Sequence, residues 1–107
     1  MYQNLIMLAR RECRITWHDE ETDAKVQTIV ENAVPHLWHK FGIPGDPSPG
    51  IFEVPGTERM LFGNYCVYCW NNVPEAFEQN YRRDILTVRH RYEVEAARNA
   101  AETPNLQ

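Results

Sequence analysis

The stretch from Asp19 to Gly42, DEETDAKVQTIVENAVPHLWHKFG, constrains the fold more than any other part of the chain. Its apolar residues are Val26, Ile29, Val30, Ala33, Val34, Leu37, Trp38 and Phe41, and they advance by alternating steps of three and one. That is a single wide apolar stripe at the 3.6-residue period of an α-helix. Asp19, Glu20, Glu21 and Asp23 place negative charge at its start, where the helix dipole favours it, and Gly42 with Pro44 ends it. A helix of this length needs other helices or a sheet to cover the stripe. Pro35 lies within it, removes one backbone donor and clashes with the carbonyl four residues back, so a kink is expected near Glu31–Pro35.

The rest of the chain also reads as helical. Tyr2 to about Cys13 carries Leu5, Ile6, Leu8 and Ala9, with Arg10, Arg11 and Arg14 near its end. A short extended link, RITW, follows. Gly42 to Gly56 holds four prolines and four glycines, which predicts a mobile surface lobe, with Ile51–Val54 able to pair as an edge strand. Thr57 is a candidate N-cap for a helix reaching about Asn72, and Asn72 a candidate cap for the next. From Pro74 to about Ala101, Phe77, Tyr81, Ile85, Val88 and Tyr92 form a narrow seam that fades into alanines. The expectation is an all-α fold: a bundle of about four helices, with the Pro/Gly-rich loop between the second and third long segments. Residues 1–102 form one domain and residues 103–107 a flexible C-terminal tail.

With 107 residues, one domain is expected. A net charge of -4 argues against a broad basic face that grips phosphates. No apolar run nears the roughly 20 residues of a membrane span. The first residues lack the basic segment and small-residue cleavage site of a signal peptide, so the expected location is the cytosol.

Candidate chemistry is sparse. Cys66 and Cys69 show C-x-x-C spacing but lie deep inside a helix, away from the N-terminal dipole that activates redox thiols. A zinc site needs two more ligands, and Cys13 is far off in sequence. Core packing of reduced cysteines is the expectation, together with burial of Trp38, Phe41, Phe62, Trp70, Phe77 and Tyr81. His36 and His39 lack a metal-binding frame, and His36, off the main stripe, reads as solvated. The acidic turn at Asp19–Asp23 lacks the glycine and alternate spacing of a calcium loop. Arg82, Arg83, Arg89, Arg91 and Arg98 are matched by Glu75, Glu78, Asp84, Glu93, Glu95 and Glu102, as a solvated or inter-subunit ion-pair face would be. No nucleophile–base pair, phosphate loop or carboxylate dyad stands out, so neither enzymatic activity nor a cofactor is expected.

The order of parts carries a resemblance. A short helix leads through RRECRITWHDEETDAKVQTIVENAVPHLWHKFGI into the long helix, a Pro/Gly loop follows, and then an aromatic helix with YCVYCWNN. From Tyr2 to about Tyr92 this resembles the small head-tail connector (adaptor) proteins of tailed bacteriophages and prophages. Pro35 and the PGDPSPGIFEVPG insertion depart from that pattern. The resemblance implies a bundle of about four helices and a structural role at the head-tail joint of the virion. It implies self-association in a ring, dodecameric when assembled, and portal and tail or head-completion proteins as partners. DNA would pass through during packaging and ejection without sequence-specific binding. The five arginines of the last helix are the expected assembly contacts. The alternative is a small helical regulatory or nucleic-acid-binding protein of a mobile element.

Overall fold

The computed structural model describes residues 2–102, and among these all regular structure is helical. Six helices follow in order: α1 Gln3–Glu12, α2 Glu20–Lys40, α3 Gly50–Glu53, α4 Thr57–Trp70, α5 Pro74–Asn80 and α6 Arg82–Glu102. The all-α expectation therefore stands in its class, but the count of about four helices is corrected to six. The expected tail at 103–107 lies outside the described residues.

Two local events raise the count. Ile51–Val54, expected as an edge strand, instead contributes to the one-turn helix α3. Phe52 is fully buried there, with ring centroids 5.0 Å from Phe62 and 6.3 Å from Phe41. Burying an aromatic ring outweighs the weak helix propensity of its Gly- and Pro-rich surroundings. The loop is thus pinned at its centre rather than lying wholly on the surface, and the indole of Trp38 adds a second tie by donating to the Gly45 carbonyl at 3.0 Å. The second event is at Tyr81, where the backbone leaves helical values and divides the last segment into α5 and α6. The seam keeps its phase across the break, because Tyr81 N–H bonds Phe77 and Ile85 N–H bonds Tyr81, both at 2.9 Å.

α4 is the centre of the packing, touching α1, α2, α3 and α5, while α1 and α2 also pack on each other. The stripe of α2 is buried at Val26, Val30, Ala33, Val34, Leu37 and Trp38. The helix runs unbroken through Pro35. Asp19 caps its start, accepting from Thr22 N–H at 2.8 Å, and this bond holds the Asp19 carboxyl below the usual carboxylate range. Phe41, Phe62 and Phe77 are buried as expected, whereas Trp70 and Tyr81 are only partly covered. Trp70 sits at the end of α4, beneath the Lys25 ammonium at 4.4 Å from its ring centre.

Three helices end in the same way. At the ends of α1, α2 and α4, the residues Arg14, Gly42 and Asn72 have φ of 60°, 70° and 65°. Paired backbone bonds close each end: Arg14 to Arg11 and Ile15 to Arg10, Gly42 to His39 and Ile43 to Trp38, Asn72 to Cys69 and Val73 to Tyr68. This arrangement satisfies carbonyls that would otherwise lack partners. Asn72 is therefore the terminator of α4, not the cap of α5. Gly56, not Thr57, precedes the first turn of α4. A left-handed backbone costs a side chain roughly 1–2 kcal/mol, part of which glycine gives back as unfolded-state entropy. Arg14→Gly is expected to stabilise the protein by up to about 1 kcal/mol, read as a higher urea midpoint at constant slope.

Candidate functional site

The C-terminal helix α6 rests on the body through its first three turns. Ile85 and Val88 are buried and Tyr92 is partly buried. At Tyr92 the helix crosses the first turn of α4, where Glu58 is 7% exposed and is the one buried charged residue among those described. The Tyr92 hydroxyl donates to Glu58 Oε2 at 2.6 Å, and the Arg91 guanidinium donates to the same oxygen. Burial and the bond to Glu58 push the Tyr92 phenol up to about 12. A second clamp lies nearer the start of α6. There Arg89 donates to the Lys40 carbonyl at 3.0 Å, at the end of α2, and pairs with Glu93 at 3.6 Å. Lys40 in turn pairs with Glu78 at 2.7 Å.

Beyond Tyr92 the buried face of the helix ends. Every residue from 93 to 101 is exposed, yet the helix continues to Glu102. Ala96, Ala97, Ala100 and Ala101, with Glu and Arg between them, are strong helix formers, so propagation from the anchored half is enough to carry it. Ten residues make an arm about 15 Å long. The radius of gyration is 15.8 Å, against about 13 Å for a compact domain of this length, and the long axis reaches 58 Å.

The five arginines expected at an assembly contact fall into three groups. Arg89 and Arg91 are engaged within the chain, as anchors of α6. Arg82 and Arg83 are exposed on its first turn, beside Leu86, which is half exposed, and Arg82 and Leu86 both border an open groove that reaches Lys40 and Glu78. Arg98 lies on the arm. The helix as a whole is nearly balanced in charge, but its halves are not. Residues 82–92 carry four arginines and one aspartate, while residues 93–102 carry three glutamates and one arginine. Glu58 does not stand out in the sequence, where it reads as an ordinary acidic residue in a first turn. Its partners stand 33 and 34 positions later, with no local signal to connect them.

Cys13, far from the C-x-x-C pair in sequence, comes close enough in the fold for the three thiols to influence one another's ionisation. All three are free; Cys66 is buried, and the other two are partly so. Burial first, then the Glu12 carboxylate, pushes the Cys13 thiol up from 9.0 to about 11, and burial also raises Cys66 and Cys69. These are protonated, weakly nucleophilic thiols at neutral pH. Among the described residues no three His, Cys, Asp or Glu side chains are placed to hold a metal ion. His36 is exposed, as expected, and its ring stacks on Tyr65 at 5.0 Å.

The raised Cys13 value has a consequence for stability. An unfolded chain loses the thiol proton at its ordinary 9.0, whereas the fold holds the neutral form. The contribution is complete below pH 9 and is lost as pH rises towards 11. Urea midpoints should therefore fall across that window, and Cys13→Ala should make the fall shallower.

Comparisons with protein-family models, with curated proteins and with solved structures return no match. No helix among the described residues is long and apolar enough to cross a membrane.

Proposed function

We propose that this protein is a structural joint between a phage portal and the tail machinery, one subunit of a ring through which DNA passes, without enzymatic activity. The observation that carries the reading is the arm of α6, a helix end exposed on every side and projecting from an otherwise closed body. A helix extended into solvent gains stability by docking, and a ring subunit has two different faces to offer its neighbours. The charge fits a channel wall. An overall charge of -4 avoids the strong phosphate attraction that would hold DNA in place instead of letting it slide. The sequence resemblance adds to the reading: a short helix, a long helix, a Pro/Gly loop and an aromatic helix follow one another as quoted above.

Truncation after Tyr92 tests the reading. The buried residues Ile85 and Val88 and the Glu58 clasp all remain, so the shortened chain should fold with its melting transition nearly unchanged. It should fail to join the portal in a pull-down and fail to complement virion assembly. A truncated chain that still supported infectious particles would end the proposal, as would tight, sequence-specific operator binding by the full chain at physiological salt.

A further inference from the structure

The arm has a counterpart on the body. Along the seam between α1 and α4 runs a shallow groove of about 350 Å³, floored by Leu8 and Gly63, walled by Met60 and rimmed by Arg11, Glu12 and Arg59. The groove depends on a close approach of the two helices. A Cβ at Gly63 would stand 3.0 Å from Glu12 Cγ, so any larger residue would force that side chain aside. Met60 is 47% exposed, a large apolar side chain with nothing over it.

The arm matches the groove in shape, polarity and charge. Val94, Ala97 and Ala101 recur at helical spacing and make one narrow apolar face, small enough to lie close to a helix–helix seam. Val94 is 41% exposed. Glu93 borders this face on one side and Glu95 on the other. Three carboxylates against one arginine make the arm acidic, whereas the groove rim has two arginines against one carboxylate. The arm begins just past the Glu58 clasp and is exposed from residue 93 to 101, so in one chain it is open to a neighbour.

We infer that the arm of α6 in one copy of this chain seats in the α1–α4 groove of a second copy. Arm and groove are different surfaces, so each subunit gives an arm to one neighbour and receives one from the other, the head-to-tail pattern from which rings close. The inference rests on the connector reading and supplies its subunit-to-subunit joint, and the portal meets the ring that this joint builds.

Sedimentation velocity of the full-length protein, without portal, tests it by charge exchange. Wild type should form species larger than a dimer as concentration rises, and added salt should weaken them. Arg59→Glu and Glu95→Arg each set like charges against one another, and each alone should weaken association about tenfold or more. An equimolar mixture of the two variants should recover it, because every junction between unlike chains restores an opposite pair. Val94→Asp, at an exposed position of the arm, should abolish association while leaving the circular dichroism spectrum intact. A wild type that stays monomeric up to about 100 μM overturns the inference, as does a mixture no better than its components or a closed dimer alone. If such a monomer still captured portal through its arm, the groove would be refuted and the connector reading would survive. An assembling chain with no affinity for portal would refute the connector reading and leave the arm-in-groove joint standing.

Discussion

Phe62→Ala is expected to cost about 3–5 kcal/mol of stability, the range for deleting a buried aromatic ring. Phe62 has no exposure, and it lies on α4 with helices packed around it, so the surroundings have little freedom to collapse into the space left behind. Its ring centre is 5.0 Å from that of Phe52, the residue that draws the Pro/Gly segment into α3. Loss of the ring should therefore loosen α3 as well as lower the global midpoint. Against a total of about 5–15 kcal/mol for a domain, the change removes a large share of what holds the chain folded. Urea unfolding would measure it, with amide exchange at residues 50–53 as the local readout. A cost below about 1 kcal/mol would mean that the aromatic centre is not packed as described.

The second large effect is at Glu58. Glu58→Ala removes the acceptor of two hydrogen bonds at once, one from a cation and one from a phenol. Bonds to a charged partner contribute about 1.5–3 kcal/mol each. Arg91 is half exposed, so water takes over its guanidinium, and much of that bond's contribution is recovered. The expected net cost is about 2 kcal/mol, most of it from the Tyr92 hydroxyl losing its partner and from the carboxylate volume left empty. Amide exchange should rise along α6 while α1, α2 and α4 keep their order. Glu58→Ala with Tyr92→Phe should cost less than the sum of the two single changes, because they remove the same interaction. Strict additivity would show that the clasp does not act as a unit.

How far the fold could be read depended on the range of the interactions. The α2 stripe repeats within a few residues, and its periodicity predicted the buried residues from Val26 to Trp38. Asp19 at its head and Gly42 at its end are likewise local devices. Phe52 shows where local reading stops. The composition around it signals a loop, and the burial that makes it helical comes from Phe41 and Phe62 on other elements. The break at Tyr81 has no Gly or Pro to announce it. There the Tyr81 ring lies 5.0 Å from Phe77 and edge-on to Tyr68 at 6.0 Å, a cluster completed by a different helix. Arg14 and Asn72 adopt left-handed backbone where glycine would be the usual signal. Of the candidate interface, the fading seam after Tyr92 was visible in sequence. The anchoring roles of Arg89 and Arg91 were not, because their partners are Lys40 and Glu58.

The central place of α4 also sets an order of events during synthesis. α1 and α2 are complete at Lys40, but the helix on which both pack is complete only at Trp70. At about 5–20 residues per second, roughly 1.5–6 s separate the two points. For that interval the apolar stripe of α2 has only α1 against it, and the nascent chain presents an uncovered hydrophobic surface to its surroundings. A chain halted after Val54 lacks its packing centre, whereas one halted after Val73 has it, along with the bonds that close the end of α4. α5 and α6 then arrive last, on a body already closed, so the anchoring of the outer helix is separated in time from the formation of the core.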